Sequence, residues 1–294
     1  MNVLVIGGNR FFGRHLVREL LQTGARVTLF NRGSMDDGFG EQIERVKVDR
    51  KDKYALAEAA RGKKWDLVFD QVCYSAGEAR DACEVFEGKT ARYVVASSIS
   101  VYDYGLLQKE DRFSALTYTF SSDAAANVDY QAAKRQMESI FVQRAQFETV
   151  PARVSLVVGI DDYTERLKWH LDRIRAGLPI FFPSLDVHSD FIRSDQAGLA
   201  LKIIGFSKHV GPINCTTSES ITLKNLVAMC EVQIGRNAQL ALVEADSNHS
   251  PYGGQADKTA DTRVLQGLGF TSSTCMTWLP SLIEEMDHLS KMRS

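Results

Sequence analysis

The residues best suited to chemistry fall in two short stretches. Ser97-Ser98-Ile99-Ser100-Val101-Tyr102 places hydroxyls directly after the apolar run 92–96 (R-Y-V-V-A), which reads as a strand ending at the carboxyl edge of a sheet, where open α/β sheets bind ligands. Further on, a helix expected to begin near Val128 carries Tyr130 and Lys134, four apart and therefore on one face. A phenol with a pKa of about 10 is a poor proton donor or acceptor at neutral pH, whereas an ammonium one turn away favours the phenolate and lowers that pKa. A nearby serine hydroxyl can polarise a carbonyl or hold a substrate alcohol. Taken alone, a Tyr and Lys at this spacing describe a solvated helix face, and only their company makes them chemical.

Part of that company is Gly7-Gly8-Asn9-Arg10-Phe11-Phe12-Gly13. Before it stands the continuous apolar run 3–6, the pattern of a strand buried on both faces. After it, Phe12, Leu16, Val17, Leu20 and Leu21 recur at helical spacing until Thr23-Gly24. A helix N-terminus presents free N–H groups and a partial positive charge, so a pyrophosphate can rest there if the turn lets it approach. Gly7 permits the tight turn and Gly13 the close approach of helix and strand. The middle glycine of a dinucleotide turn is replaced by Arg10, whose side chain must point away or itself bind an anion. An ordinary βα turn that binds nothing competes with this reading, but a second strand arriving on schedule favours the cofactor.

That second strand spans 25–30 (A-R-V-T-L-F), and its tip reads Asn31-Arg32-Gly33. An acid there would accept hydrogen bonds from a free ribose 2′-hydroxyl and repel a 2′-phosphate. With the acid absent and a guanidinium present, NADP is expected ahead of NAD. A third strand over 45–49 ends at Asp49, positioned to meet an adenine edge. Helical patterns at 53–61 and 79–86 alternate with the strands 65–69 and 92–96. The succession predicts right-handed crossovers and a Rossmann-type, doubly wound parallel sheet of the α/β class.

The glycine turn, the Ser97–Tyr102 stretch and the Tyr130-Gln131-Ala132-Ala133-Lys134 helix together resemble the extended short-chain dehydrogenase/reductase family, the NAD-dependent epimerases and dehydratases, over most of the chain. The resemblance implies a nicotinamide cofactor and a Ser/Tyr/Lys site. Ser98 would be the catalytic hydroxyl with Ser97 its neighbour, Tyr130 the acid/base, and Lys134 the residue that holds the nicotinamide ribose and lowers the Tyr130 pKa. The implied cofactor contacts are Gly7, Asn9, Arg10, Phe11, Phe12, Gly13, Asn31, Arg32, Asp49 and Lys134. The Gly-Gly-x-Arg-Phe turn is similar to a subgroup of reductases and chloroplast stem-loop-binding proteins.

Departures from the family pattern narrow the chemistry. Dehydratases carry acids directly after the catalytic hydroxyl, where this chain has Ile99 and Ser100. An Asn and a Pro that sugar-nucleotide enzymes tend to have after the sixth strand are Leu156 and Ile160, and the Arg that often precedes Asp190-Phe191-Ile192 is Ser189. A reductase or an epimerase-like enzyme acting at a secondary alcohol or ketone is therefore expected, with NADP(H) as cofactor and a small molecule as substrate. The competing function is a cofactor-binding recognition protein for RNA or a protein partner. The complete Ser98/Tyr130/Lys134 set argues against it, because binding alone does not need those residues.

The rest of the chain bounds the reading. Its 294 residues suffice for a large α/β unit and an appendage. The expected division is a Rossmann domain over 1–158, rejoined by about 190–215, with a smaller, discontinuous C-terminal substrate domain from 159–189 and 216–294. Helices are expected over 164–176, 195–204, 222–234 and 278–292, strands over 211–215 and 240–243, and a polar loop over 245–260. A net charge of -2 gives no global attraction to nucleic acid or an acidic membrane, so any anion site must be local. Five scattered cysteines without a C-x-x-C suit reduced thiols, and no apolar run is long enough for a bilayer, so a cytoplasmic protein is expected. The six histidines show no close metal-ligand pair, so no metal site is expected, and homodimerisation stays open. Tyr163, Trp169 and His170 are candidates for the cleft wall, though core is the commoner role for such rings. Tyr102 and Tyr104 are the better candidates for substrate contact.

Overall fold

In a computed structural model the described residues are 1–120 and 128–293. Short apolar runs punctuated by glycine and capped helices build the N-terminal half. Strands β1 (Asn2–Ile6), β2 (Arg26–Asn31), β3 (Glu44–Lys47), β4 (Leu67–Asp70) and β5 (Arg92–Ser98) alternate with helices α1 (Phe11–Gln22), α2 (Lys53–Ala59) and α3 (Ala76–Phe86). Asp52 caps α2 by accepting from the Ala55 N–H, and Ser75 caps α3 by accepting from that of Glu78. Helix α4 (Tyr130–Arg144) leads to β6 (Glu148–Val154), followed by α5 (Arg166–Ala176), α6 (Ser194–Phe206), β7 (Ile213–Cys215), α7 (Leu223–Ile234), α8 (Arg263–Gly267) and α9 (Cys275–Arg293).

The main sheet runs β7-β6-β5-β4-β1-β2-β3, parallel throughout. The chain therefore winds outward from β1 in one direction, returns to β4, and winds outward in the other. The order reverses between β1 and β4, and a crevice opens there beyond the carboxyl ends of the strands. Alternation along β1 explains the two covered faces. Val3 and Val5 pack with Leu16, Val17 and Leu20 of α1 and with Ala197, Ala200 and Leu201 of α6. Leu4 and Ile6 turn the other way, into a core with Leu56, Ala79, Phe86 and Phe141 from α2, α3 and α4.

A separate core joins α5, α7 and α9 through Leu171, Ile174, Leu226, Cys230, Leu279 and Ile283. Thr222 caps α7, accepting from the Asn225 N–H. Two expectations need correction here. Residues 240–243 do not form a strand of their own: only Gln239–Leu240 pairs, with Pro179–Ile180, and Leu242 is 97% exposed. Within the expected loop 245–260, Lys258–Ala260 is a strand between His188–Ser189 and Gly105–Gln108 in a four-stranded sheet completed by Ile221–Thr222. Both differences have one cause, because pairing with distant segments rather than local alternation decides these two- and three-residue strands. All five cysteines are buried and unpaired. No helix among the described residues is long and apolar enough to cross a membrane.

Helices α1 and α6 meet backbone to side chain. A Cβ on Gly198 would stand 2.6 Å from the Leu16 nitrogen and 2.6 Å from the His15 Cβ. Gly198→Ala is therefore expected to destabilise the fold by about 1–3 kcal/mol through overpacking, despite alanine's better helix propensity. Urea unfolding should show a lower midpoint with an unchanged slope.

Candidate active site

At the switch point, the Gly7 N–H donates to the Phe30 carbonyl at 2.9 Å, and Gly7 and Gly8 take φ of 93° and 76°, conformations that favour glycine. A Cβ on Gly13 would lie 2.9 Å from the Gly8 Cα, so helix and turn touch at backbone distance. Helix α1 has no side-chain cap and no acid in its first turn, which leaves N–H groups and the positive end of the helix facing the crevice. Arg10 lines the crevice and stacks on an aromatic ring. Its guanidinium lies 3.7 Å from the centre of the Tyr163 ring.

A groove of about 390 Å³ extends from this turn and is lined by Gly7, Asn9, Arg10, Phe11, Phe12, Gly13, Asn31, Arg32 and Asp49, all nine groove residues anticipated from sequence. The Asn31 side chain accepts from the Gly33 N–H at 2.8 Å, tightening the turn that exposes Arg32. Asp49 accepts from the Lys51 N–H at 3.0 Å. Phe11, Phe12, Gln71, Tyr74 and Tyr163 border both this groove and a neighbouring cleft of about 550 Å³. The side-chain oxygen of Gln71 is buried at this junction without a partner. The glycine cradle, the uncapped helix and this unmet acceptor fit a dinucleotide lying from groove to cleft.

Ser98, Tyr130 and Lys134 all line the cleft. Strand β5 is buried along its whole length and delivers Ser98, whose hydroxyl accepts from the Ser100 N–H at 3.1 Å. Asp129 caps α4 by accepting from the Ala132 N–H, which makes Tyr130 the first helical residue. Lys134 is buried, and its ammonium donates to the carbonyls of Cys73 at 2.8 Å and Ala96 at 2.9 Å. Burial holds the Lys134 pKa below the ordinary lysine value, with nearby Cys73 and Asp70 opposing.

The expected lowering of the Tyr130 pKa is corrected. Loss of hydration around the hydroxyl raises it above the ordinary phenol value, and the Ser98 hydroxyl and the Arg166 charge offset this only in part. The ring itself stays 53% exposed along the cleft. The Lys134 ammonium lies 5.9 Å from the Tyr130 ring centre and is engaged by two carbonyls, so desolvation outweighs its field.

Other candidates move. Tyr102 is buried, not in the cleft, because its hydroxyl donates to the Asn214 side chain at 2.6 Å and accepts from Arg153 at 2.8 Å. Tyr104 does line the cleft, as does Tyr163. His170 is core: its ring nitrogens meet the Arg166 carbonyl and the Ser250 hydroxyl, and burial pushes its pKa down to about 4. Trp169 packs beside His170 and under the Arg173 guanidinium. Gln71, Ser155, Arg166, Asp190 and Lys258 line the cleft without having been singled out as site residues. They come from five separate segments, and no local pattern marks them.

Asp190 is 2% exposed and accepts from the Ala260 N–H at 2.7 Å, yet burial raises its pKa to about 7 from an ordinary 3.8. The folded chain thus holds a proton that the unfolded chain releases near pH 4. Its stability falls as pH rises from about 4 to 7, with the whole penalty present above that range. Asp190→Asn keeps the acceptor and cannot ionise. Denaturant titrations should show the variant gaining about 2–4 kcal/mol over the parent at pH 8 and little at pH 4.

Residues 3–87 match the model of the NAD dependent epimerase/dehydratase family. Over 78% of its length the chain is 26% identical to the chloroplast stem-loop binding protein of 41 kDa b from Arabidopsis thaliana, of which it spans 62%. The fold matches that of UDP-glucose 4-epimerase from Thermus thermophilus, solved as a complex with NAD, over 99% of both chains with a TM-score of 0.70 at 17% identity. It also matches a short-chain dehydrogenase/reductase superfamily protein from Agrobacterium tumefaciens with bound NAD, over 100% of this chain and 98% of that one, with a TM-score of 0.74 at 16% identity. The family model thus covers the N-terminal part of the chain, and the two solved structures share its fold over the whole length.

Proposed function

We propose that the protein is an NADP(H)-dependent oxidoreductase acting at a secondary alcohol or ketone carbon. The observation that carries this reading is the convergence of Ser98, Tyr130 and Lys134 on one cleft that opens directly into the groove at the glycine turn. A dinucleotide bound there would supply or accept the hydride. The turn and the uncapped end of α1 would hold its pyrophosphate, and Gln71 stands at the passage between groove and cleft. Two of the three ammonium protons of Lys134 go to carbonyls, and the third, which meets only the weakly accepting Met137 sulfur at 4.0 Å, would turn to a ribose hydroxyl.

Ser98 would donate its hydroxyl hydrogen to the substrate oxygen and Tyr130 would transfer the proton. A phenol whose pKa is raised is protonated at neutral pH, which suits donation to a carbonyl oxygen and hence reduction. Dehydration finds less support, since Ile99 is buried where an elimination catalyst would need an acid. The lobe around α5, α7 and α9 would wall the substrate, through Arg166 and the segments 251–258. An RNA- or protein-recognition role is the weaker reading, because a buried ammonium beside a phenol and a serine hydroxyl serves proton transfer rather than surface binding.

The NADP preference rests on Arg32, exposed at the end of β2 where an acid would select NAD. The two solved relatives described above hold NAD, so the proposed preference rests on this chain's own Arg32. Fluorescence titration should show NADP(H) binding tighter than NAD(H), and Arg32→Ser should weaken NADP(H) about tenfold while leaving NAD(H) unchanged. Tighter NAD(H) binding by the parent protein would overturn the preference. Against a panel of ketones, Tyr130→Phe should lower kcat by at least about 10²-fold with dinucleotide affinity retained. Unchanged turnover would remove Tyr130 from catalysis.

A further inference from the structure

We infer that the cleft takes a small acidic substrate, a hydroxy or keto compound bearing a carboxylate or phosphate that Arg166 and Lys258 recognise. This rests on the reading of the cleft as a substrate pocket. In a chain of net charge -2, the ionisable groups that line the cleft other than tyrosines are three cations, Lys134, Arg166 and Lys258, and one carboxyl, Asp190. Lys134 is engaged by two backbone carbonyls, and Asp190 holds its proton to about pH 7. Two cations are left without a counter-charge.

Arg166 donates from Nε to the Thr164 hydroxyl at 2.9 Å and from one terminal nitrogen to the Val157 carbonyl at 3.1 Å, which leaves three of its five N–H donors unused. Its guanidinium is braced 5.5 Å from the centre of the Tyr252 ring. It is also the first residue of α5, a helix with neither a capping side chain nor an acid in its first turn. A cation there opposes the helix dipole, and both favour an anion. Its charge reaches the Tyr130 hydroxyl, so a bound anion would sit near the reacting oxygen. Lys258 lines the same cleft with its ammonium 4.9 Å from the centre of the Tyr104 ring. The acids whose charges reach it are committed elsewhere, Asp103 to Arg135 and Asp129 to the cap of α4. Half-buried cations that no lining carboxylate neutralises are costly in an apolar-walled cleft, and a ligand anion removes that cost. Ser155, 8% exposed with an unpartnered hydroxyl in the same wall, offers a further hydrogen bond.

The test uses the full chain saturated with NADPH and three pairs of ligands that differ mainly in charge: glucose and glucuronate, glucose and glucose 6-phosphate, and propane-1,2-diol and lactate. Calorimetric titration is expected to show the acidic member of at least one pair binding tenfold or more tighter than its neutral partner, and which pair responds tells carboxylate from phosphate. Arg166→Met and Lys258→Met should each remove most of that preference, and Arg166→Lys should restore part of it. Equal binding within every pair, no binding of any member, or a preference untouched by both methionine variants overturns the inference. Binding of NADPH and of NADH, each followed on the same protein, separates the two levels: if either binds while the acid preference fails, only the substrate assignment falls, and if neither binds the oxidoreductase reading falls as well.

Discussion

The ion pair between Glu138 and Arg153 is the constraint on which the site depends. Both side chains are 0% exposed, with Arg153 Nη2 at 2.8 Å from Glu138 Oε2. Taking two charges out of water is expensive, and such a pair survives only when the remaining donors and acceptors are met. Here they are. Ser97 donates to Glu138, while Arg153 donates to Tyr102, to the Glu110 carbonyl and to the Phe113 carbonyl. Tyr102 passes the connection to Asn214 on β7. The pair thereby locks the ends of β5, β6 and β7 to α4, the helix that bears Tyr130, Lys134 and Glu138 one turn apart. Ser98 follows Ser97 directly, so its distance from Tyr130 is set by a charge interaction that neither residue takes part in.

A comparable network floors the groove. Asp70, at the end of β4, accepts from the Tyr93 hydroxyl at 2.8 Å and pairs with Arg50, which also donates to the Glu78 carbonyl. Polar groups buried this deeply rigidify when satisfied. The crevice between β1 and β4 is therefore held open by hydrogen-bonded walls on the sheet side, while Tyr163 and Arg10 stack across its outer side. The groove and the cleft share this boundary, and a ligand long enough to occupy both must pass Tyr163.

What could be read from sequence was whatever the chain encodes locally. The apolar runs and their helical or strand periods placed the sheet, the glycine turn and the order of crossovers, and the i, i+4 spacing placed Tyr130 and Lys134 on one face. Quantities set by distant backbone were hidden. Lys134 is steered by carbonyls at residues 73 and 96, so its effect on Tyr130 is not the one that spacing suggests. Tyr102 looks like a cleft residue until Asn214 and Arg153 claim its hydroxyl. Arg166 and Lys258 lie far apart in the chain and meet one cavity only through the lobe's packing. The strand Lys258–Ala260 has no alternating pattern to announce it and exists because its neighbours have open edges.

The close seat of α6 on α1 also bears on how the chain is made. Leu16, Val17 and Leu20 are covered in part by a helix that begins at Ser194, and β6 receives β7 only at Ile213. Synthesis proceeds from the N-terminus, so most of the chain must leave the ribosome before either surface can close. Until then a growing chain presents an apolar helix face and an unpaired parallel edge, the features most prone to association with other nascent chains. Completion of this fold is therefore tied to late translation, and a ribosome-held fragment ending before residue 194 retains both exposed surfaces.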